Sequence, residues 1–252
     1  MAELKLPTEK VMLPSKGLLY PKESPLSKGE IEMKYMTAKE EDILTNINFI
    51  RQGTVVDKLL QSLIITPINY DDLLIGDKNA ILIAARILGY GAEYQFRYTD
   101  ERGKETEITV DLSKLNEKPL DESLFKPGVN EFSFTLPKSG NTVTFKLLTH
   151  GDEKKIDAEI KGLTKINPNG SFDVTTRLKH MITSVNGDRD HKNIRDFVDN
   201  YLLAAEARAL REHYNKVQPD VDLKYVPEDE SYVGEGITVP ISLNFFWPDI
   251  RL

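Results

Sequence analysis

At Glu93 the spacing of apolar side chains switches from a helical to an alternating pattern, and this switch limits what the chain can fold into more than any other feature. Upstream, Thr37-Ala38-Lys39-Glu40 has the form of a capping box, in which hydroxyl and carboxylate each satisfy an exposed amide. Ile43, Leu44, Ile47 and Ile50 follow on one helical face, and Gly53 predicts the stop. Val55, Val56, Leu59, Leu60, Leu63 and Ile64 repeat the pattern up to Pro67. A third helix is predicted over Asn79–Leu88, with Asp77 placed to cap it and Gly89-Tyr90-Gly91 to end it. Downstream the period is two. Tyr94, Phe96 and Tyr98, then Ile108, Val110 and Leu112 flank an Asp100–Gly103 turn. Phe132, Phe134 and Leu136, then Val143, Phe145 and Leu147 flank the turn Pro137–Asn141. The two hairpins are expected to share one antiparallel sheet, since an isolated two-stranded ribbon is marginal in water.

Helix returns after His150, with segments predicted over Asp152–Lys161, Phe172–Val185 and Asn193–Tyr214, the last broken near Asn200. In that last helix Ile194, Phe197, Val198, Leu202, Ala205 and Leu210 are expected to face inward. Strand character resumes at Val221–Val226 and Ile237–Phe246. Before all of this, residues 1–36 carry Pro7, Pro14, Pro21 and Pro25 with Gly17 and Gly29, and a short strand is predicted over Gly29–Tyr35. Val11-Met12-Leu13 and Leu18-Leu19-Tyr20 give this segment apolar contacts that a disordered tail lacks, so it reads as an arm that docks on this chain or another. The expected organisation is an arm over 1–36, a helical unit over 37–91, a hairpin region over 92–149 and a helical unit with closing strands over 150–252. The fold class is α+β: a helical N-terminal unit, a central antiparallel β-hairpin sheet and a mainly helical C-terminal unit with terminal strands. A length of 252 residues corresponds to about 1.7 average domains, and no Gly/Ser-rich linker marks a boundary between one domain and two.

Chemistry is sparsely provided. The absence of cysteine excludes a disulfide framework, a thiol nucleophile and thiolate metal sites, and four histidines leave imidazole chemistry few places to act. A net charge of −7 disfavours bulk nucleic-acid binding, while leaving room for a local basic patch. The longest apolar run, Ala80–Leu88, contains Arg86 and falls far short of the roughly 18–20 residues that span a bilayer. The N-terminus lacks the apolar core of a signal peptide, so the chain is expected to stay where it is translated. No phosphate-cradling glycine loop or Gly-x-Ser-x-Gly elbow occurs. Asp188, Asp190 and His191, with His180 upstream, have the donor chemistry for a divalent ion, but polar residues between two helices are also ordinary loop composition. Asp220 followed by Asp222-Leu223-Lys224 superficially resembles a metal-dependent nuclease signature, yet its aspartates stand too close together in sequence for that arrangement.

Two segments suit binding better than catalysis. Leu13-Pro14-Ser15-Lys16-Gly17-Leu18-Leu19-Tyr20-Pro21 sets apolar side chains on a proline-restrained backbone, which loses less entropy on docking. Phe245-Phe246-Trp247-Pro248 places three large aromatics together, either as a lid on the chain's own core or as interface anchors.

The order of these pieces resembles a known family. Leu13-Pro14-Ser15-Lys16-Gly17-Leu18-Leu19-Tyr20, then Met36-Thr37-Ala38-Lys39-Glu40-Glu41-Asp42-Ile43-Leu44, then Gly53-Thr54-Val55-Val56-Asp57-Lys58-Leu59-Leu60, and finally Asn244-Phe245-Phe246-Trp247-Pro248 are similar to the baseplate proteins of T-even-like contractile-tailed bacteriophages, a family that includes baseplate hub assembly proteins. The resemblance is strongest over 11–90, thin across the hairpins and moderate from about 180 to 248. It implies a non-enzymatic protein that binds hub, tail-tube or tape-measure proteins, in the virion baseplate or in the host cytoplasm during assembly. It brings no catalytic residues, cofactor, direct nucleic-acid contact or membrane contact. The matching positions Leu13, Pro14, Ser15, Tyr20, Phe245, Phe246 and Trp247 become the partner-binding candidates. Relatives carry cysteine pairs, as in zinc-ribbon hairpins, where this chain has Thr99–Lys104 and Glu228–Gly236, so the resemblance implies metal-free tips here. From a different class, a metal-dependent hydrolase acting through Asp188, Asp190 and His191 is the alternative reading.

Overall fold

Backbone conformation at Gly29 turns the N-terminal arm into a hairpin. Strands β1 (Thr8–Met12) and β2 (Glu30–Lys34) pair antiparallel, Val11 opposite Ile31. Between them the chain folds back on itself. Gly29 has φ +72°, and a Cβ there would lie 2.8 Å from the Lys16 carbonyl oxygen. The expected strand over 29–35 is β2, and its partner β1 had no signal in the sequence, because its side chains are mostly exposed. The far edge of β2 is also occupied, since the Ile65 N–H donates to the Glu32 carbonyl at 2.8 Å. The computed structural model describes residues 6–99, 103–226, 236–241 and 243–246.

The helix predicted from Thr37 to Gly53 is two helices, α1 (Ala38–Leu44) and α2 (Ile47–Gln52). Asn46 breaks it, because its side chain accepts from the Asn48 N–H at 3.0 Å and starts a new helix. Ile47 consequently turns outward, 55% exposed, and leaves the predicted face. α3 (Val55–Leu63) buries Val55, Leu59, Leu60 and Leu63 as expected. α4 (Ile75–Tyr90) begins four residues before the predicted Asn79. Asp77 therefore sits inside its first turn, and its carboxylate faces the arm rather than capping its own helix.

Both predicted hairpins form. β3 (Glu93–Thr99) pairs with β4 (Glu105–Asp111), Phe96 opposite Ile108, and β5 (Phe132–Thr135) pairs with β6 (Thr142–Phe145), Phe132 opposite Phe145. They do not share a sheet. β6 pairs on its other edge with β7 (Ile182–Val185), giving the order β5-β6-β7, while β3-β4 remains a separate ribbon. β7 lies in what the sequence predicted as the end of a helix; α6 (Asp173–Met181) stops at Met181 because its last residues are needed as a strand. The isolated ribbon avoids the marginal stability of a free hairpin by burying Tyr94, Phe96, Ile108 and Val110. The predicted turn at 100–102 lies outside the described residues.

α5 (His150–Ile166) is longer than expected at both ends. The predicted break near Asn200 separates α7 (His191–Asn200) from α8 (Ala204–Val217). In α8 the inward face differs by one residue from the expectation. Ala205 is exposed and Glu206 is fully buried, accepting hydrogen bonds from the Lys138 and Ser139 N–H groups at 3.0 and 2.6 Å. The strand predicted over 221–226 is reduced to β8 (Lys224–Tyr225), which pairs with β9 (Ile237–Thr238), and Leu243–Phe246 is a 3₁₀ turn rather than strand. The result is α+β, with eight α-helices and several small antiparallel sheets among the described residues, and its buried apolar side chains form one continuous cluster from Leu13 to Phe246.

Candidate functional site

Arm and helix meet at one buried carboxylate. Asp77, fully buried in the first turn of α4, accepts from the Ser15 N–H at 2.9 Å, the Ser15 hydroxyl at 2.7 Å and the Tyr20 hydroxyl at 2.6 Å. The Tyr20 oxygen in turn accepts from the Leu74 N–H at 2.9 Å, one of the amides a helix start leaves unpaired. Burial pushes the Asp77 carboxyl above its usual range, against the opposing pull of the Tyr20 and Ser15 hydrogen bonds. A second segment closes over the same helix start at Gly76, where a Cβ would lie 1.7 Å from the Pro219 carbonyl oxygen. Asp220 follows there, accepting from the Asn79 side chain at 3.0 Å. Leu13, Pro14, Ser15 and Tyr20, the arm's partner-binding candidates, are thus buried in the chain's own core, and the arm docks on this chain.

The C-terminal aromatics are treated alike. Phe245 and Phe246 are 0% and 1% exposed, and Phe245 meets the Tyr94 ring edge to face at 4.9 Å. They form a lid on the β3-β4 ribbon, one of the two roles their sequence allowed. Trp247 lies outside the described residues.

The two aspartates of the metal alternative serve local turns, while His191 lines a cavity beside α7. Asp188 accepts from the Asp190 N–H at 2.9 Å and the Asn193 side chain at 2.8 Å, and Asp190 caps α7 through the Lys192 N–H at 2.8 Å. His180 lies 2.9 Å from Glu159 instead of joining them. Asp222 accepts from the Lys224 N–H at 3.0 Å, a turn contact that accounts for its spacing. Among the described residues no group of three His, Asp or Glu side chains is placed to hold a metal ion.

One polar cluster had no sequence signal beyond a single histidine. His150, 6% exposed at the start of α5, has Nδ1 3.1 Å from Lys78 Nζ and Nε2 3.5 Å from Asp57. Asp57 also accepts from Lys78 at 2.7 Å and from the Tyr70 hydroxyl at 3.0 Å, and Tyr70 packs edge-on against the imidazole at 4.7 Å. Burial, aided by Lys78, holds the His150 pKa below its ordinary value, so the ring is neutral, and Lys78 of α4 ties α5 to α3 by bonding both His150 and Asp57. Every functional type in this cluster is spent on holding segments together, as in the Asp77 cluster. No helix among the described residues is long and apolar enough to cross a membrane.

Fold and clusters together define a chain whose polar chemistry organises its own architecture. The family model for the T4 bacteriophage base plate protein matches residues 19–200, and the chain belongs to that family of phage baseplate proteins. No curated protein and no solved structure matches it.

Proposed function

We propose that the protein is a non-enzymatic part of the baseplate hub that binds hub, tail-tube or tape-measure proteins while the baseplate is built or after it is complete. The match over residues 19–200 to a baseplate family carries this reading. The commitment of Asp77, Glu206, His150 and the Asp188 turn to internal hydrogen bonds supports it, because a hydrolytic centre needs such groups free to meet substrate. In this reading Leu13, Pro14, Ser15 and Tyr20 contribute to partner binding by setting the shape of the arm loop. Its outer face carries exposed Met12 and Lys16. Phe245 and Phe246 anchor the segment that leads to Trp247.

Removing residues 1–36 is a poor test, since it strips Leu13, Leu19, Leu26, Ile31 and Met33 from the core. Met12→Asp and Lys16→Glu alter the arm's outside instead. Pull-down of hub and tail-tube proteins by the full chain, with mass spectrometry of virions and baseplate intermediates, is the decisive pair of measurements. Co-purification with hub components, weakened by the two arm variants, is the expected result. A chain found in neither intermediates nor virions would refute the baseplate role, and unchanged capture by both variants would refute the arm's part in it.

A further inference from the structure

On a chain of net charge −7, cationic side chains gather in one place. A cavity of about 530 Å³ lies among α5, α6, β7 and α7, in the range that holds a small ligand or a few residues of a peptide. Lys146, Lys155, Lys179, Arg189 and Arg195 line it against a single lining carboxylate, Asp152. Four of these cations are held by one carboxylate each. Lys146 bonds Asp152 at 2.7 Å, Lys179 bonds Asp199 at 2.6 Å, Arg195 bonds Glu159, and Arg189 makes a two-pronged contact with Glu131 at 2.9 and 2.8 Å. Glu131, Glu159 and Asp199 do not line the cavity. Lys155 is exposed and has no ion-pair partner among the described residues.

We propose that this cleft receives an acidic polypeptide segment of a neighbouring protein, its Asp and Glu carboxylates replacing the internal ones on Arg189 and Arg195 and pairing with Lys155. That the neighbour is a baseplate component rests on the reading above; the ligand chemistry does not. The preformed geometry favours carboxylates. Arg189 already holds one in a planar two-pronged contact, the geometry in which a guanidinium recognises an Asp or Glu side chain. A nucleic acid is disfavoured, because a long polyanion meets a chain of net charge −7, whereas a short segment needs only the cavity wall.

The test is fluorescence anisotropy of a labelled hexaglutamate peptide with the full chain at low salt. Saturable binding is expected, weakening as salt rises and falling about tenfold in Lys155→Glu and in Arg189→Gln. Lys192→Glu, on α7 but outside the cavity, should bind as the unaltered chain does. Lys155 and Lys192 are both exposed, so equal urea midpoints for their variants confirm that folding is intact. Absence of saturable binding, equal loss in the Lys155 and Lys192 variants, or displacement of the peptide by an oligonucleotide at equal charge would overturn the proposal. The two readings fail separately. Absence from baseplates and intermediates overturns the baseplate neighbour alone, and loss of peptide binding in a chain present in baseplates overturns the cleft alone.

Discussion

Replacing Glu40 by Gln should cost a stability that vanishes in acid. Glu40 is fully buried, and its carboxylate accepts from Lys34 at 2.8 Å, the Ser62 hydroxyl at 2.6 Å, and the Thr37 N–H and hydroxyl at 2.9 and 2.6 Å. Burial alone raises its pKa, but the bonds from Lys34, Ser62 and Thr37 outweigh it and hold the group at about 2, against an ordinary 4.5. At about 1.4 kcal/mol per unit, the ionised form contributes about 3 kcal/mol to folding at neutral pH. The folded value is the lower one, so this stability is complete above pH 4.5 and is lost as pH falls through about 2. By pH 3 roughly 1–1.5 kcal/mol of it remains. Gln keeps the shape and loses the charge, and its amide nitrogen adds a donor among donors. Urea denaturation at pH 7 should therefore show a deficit of about 3 kcal/mol for Glu40→Gln, shrinking by more than half at pH 3. A deficit of the same size at both pH values would refute the charge argument and leave only packing.

Other consequences lie at the arm and in the His150 cluster. Tyr20→Phe removes a donor to Asp77 and an acceptor for the Leu74 N–H, and should cost about 1–3 kcal/mol in urea denaturation and speed proteolytic cutting within the arm loop. An unchanged cutting rate would mean the arm is held by its apolar side chains alone. Gly29→Ala forces a Cβ to within 2.8 Å of backbone at a positive φ, whereas Gly53→Ala meets nothing within 4 Å, so chemical denaturation should find the first clearly more damaging. Equal losses would show that conformation alone, and not the close approach to Lys16, decides the matter. His150 should titrate below 6.5 by NMR, and because its folded value is the lower one, it contributes stability that is present above pH 6.5 and is lost as pH falls through the folded value. A titration at or above 6.5 would mean Asp57 rather than burial governs the ring.

How much of this was readable in the residues depends on how far apart the partners stand. The α3 face and the alternation of the hairpin strands were legible, because their signals lie within a turn or a strand: Val55, Leu59 and Leu60 for α3, Tyr94 and Val110 in the first ribbon. Sheet membership was not. β6 could pair with any alternating segment, and it takes β7, 39 residues from Thr183 to Thr144 in the hydroxyl pair that joins them, although nothing in Ile182-Thr183-Ser184-Val185 separates it from the helix before it. Buried charge was hidden for a related reason. Asp77 reads as a helix cap until Ser15, 62 residues away, supplies the donors that turn it toward the arm.

The same reasoning explains why the apolar anchors lie in the chain's own core. Leu13, Tyr20, Phe245 and Phe246 are the side chains a partner would gain most from burying, but the chain's own core gains as much, at no cost in translational freedom. An intramolecular seat wins whenever the geometry allows it, and Asp77 and Tyr94 supply that geometry. What the cleft leaves accessible is charge. The carboxylates on Lys146, Lys179, Arg189 and Arg195 satisfy those cations without filling the space before them, and Lys155 has none among the described residues. A partner can use that charge without displacing any core side chain, which is why the cleft, poor in sequence signal, is the stronger place to look for a contact.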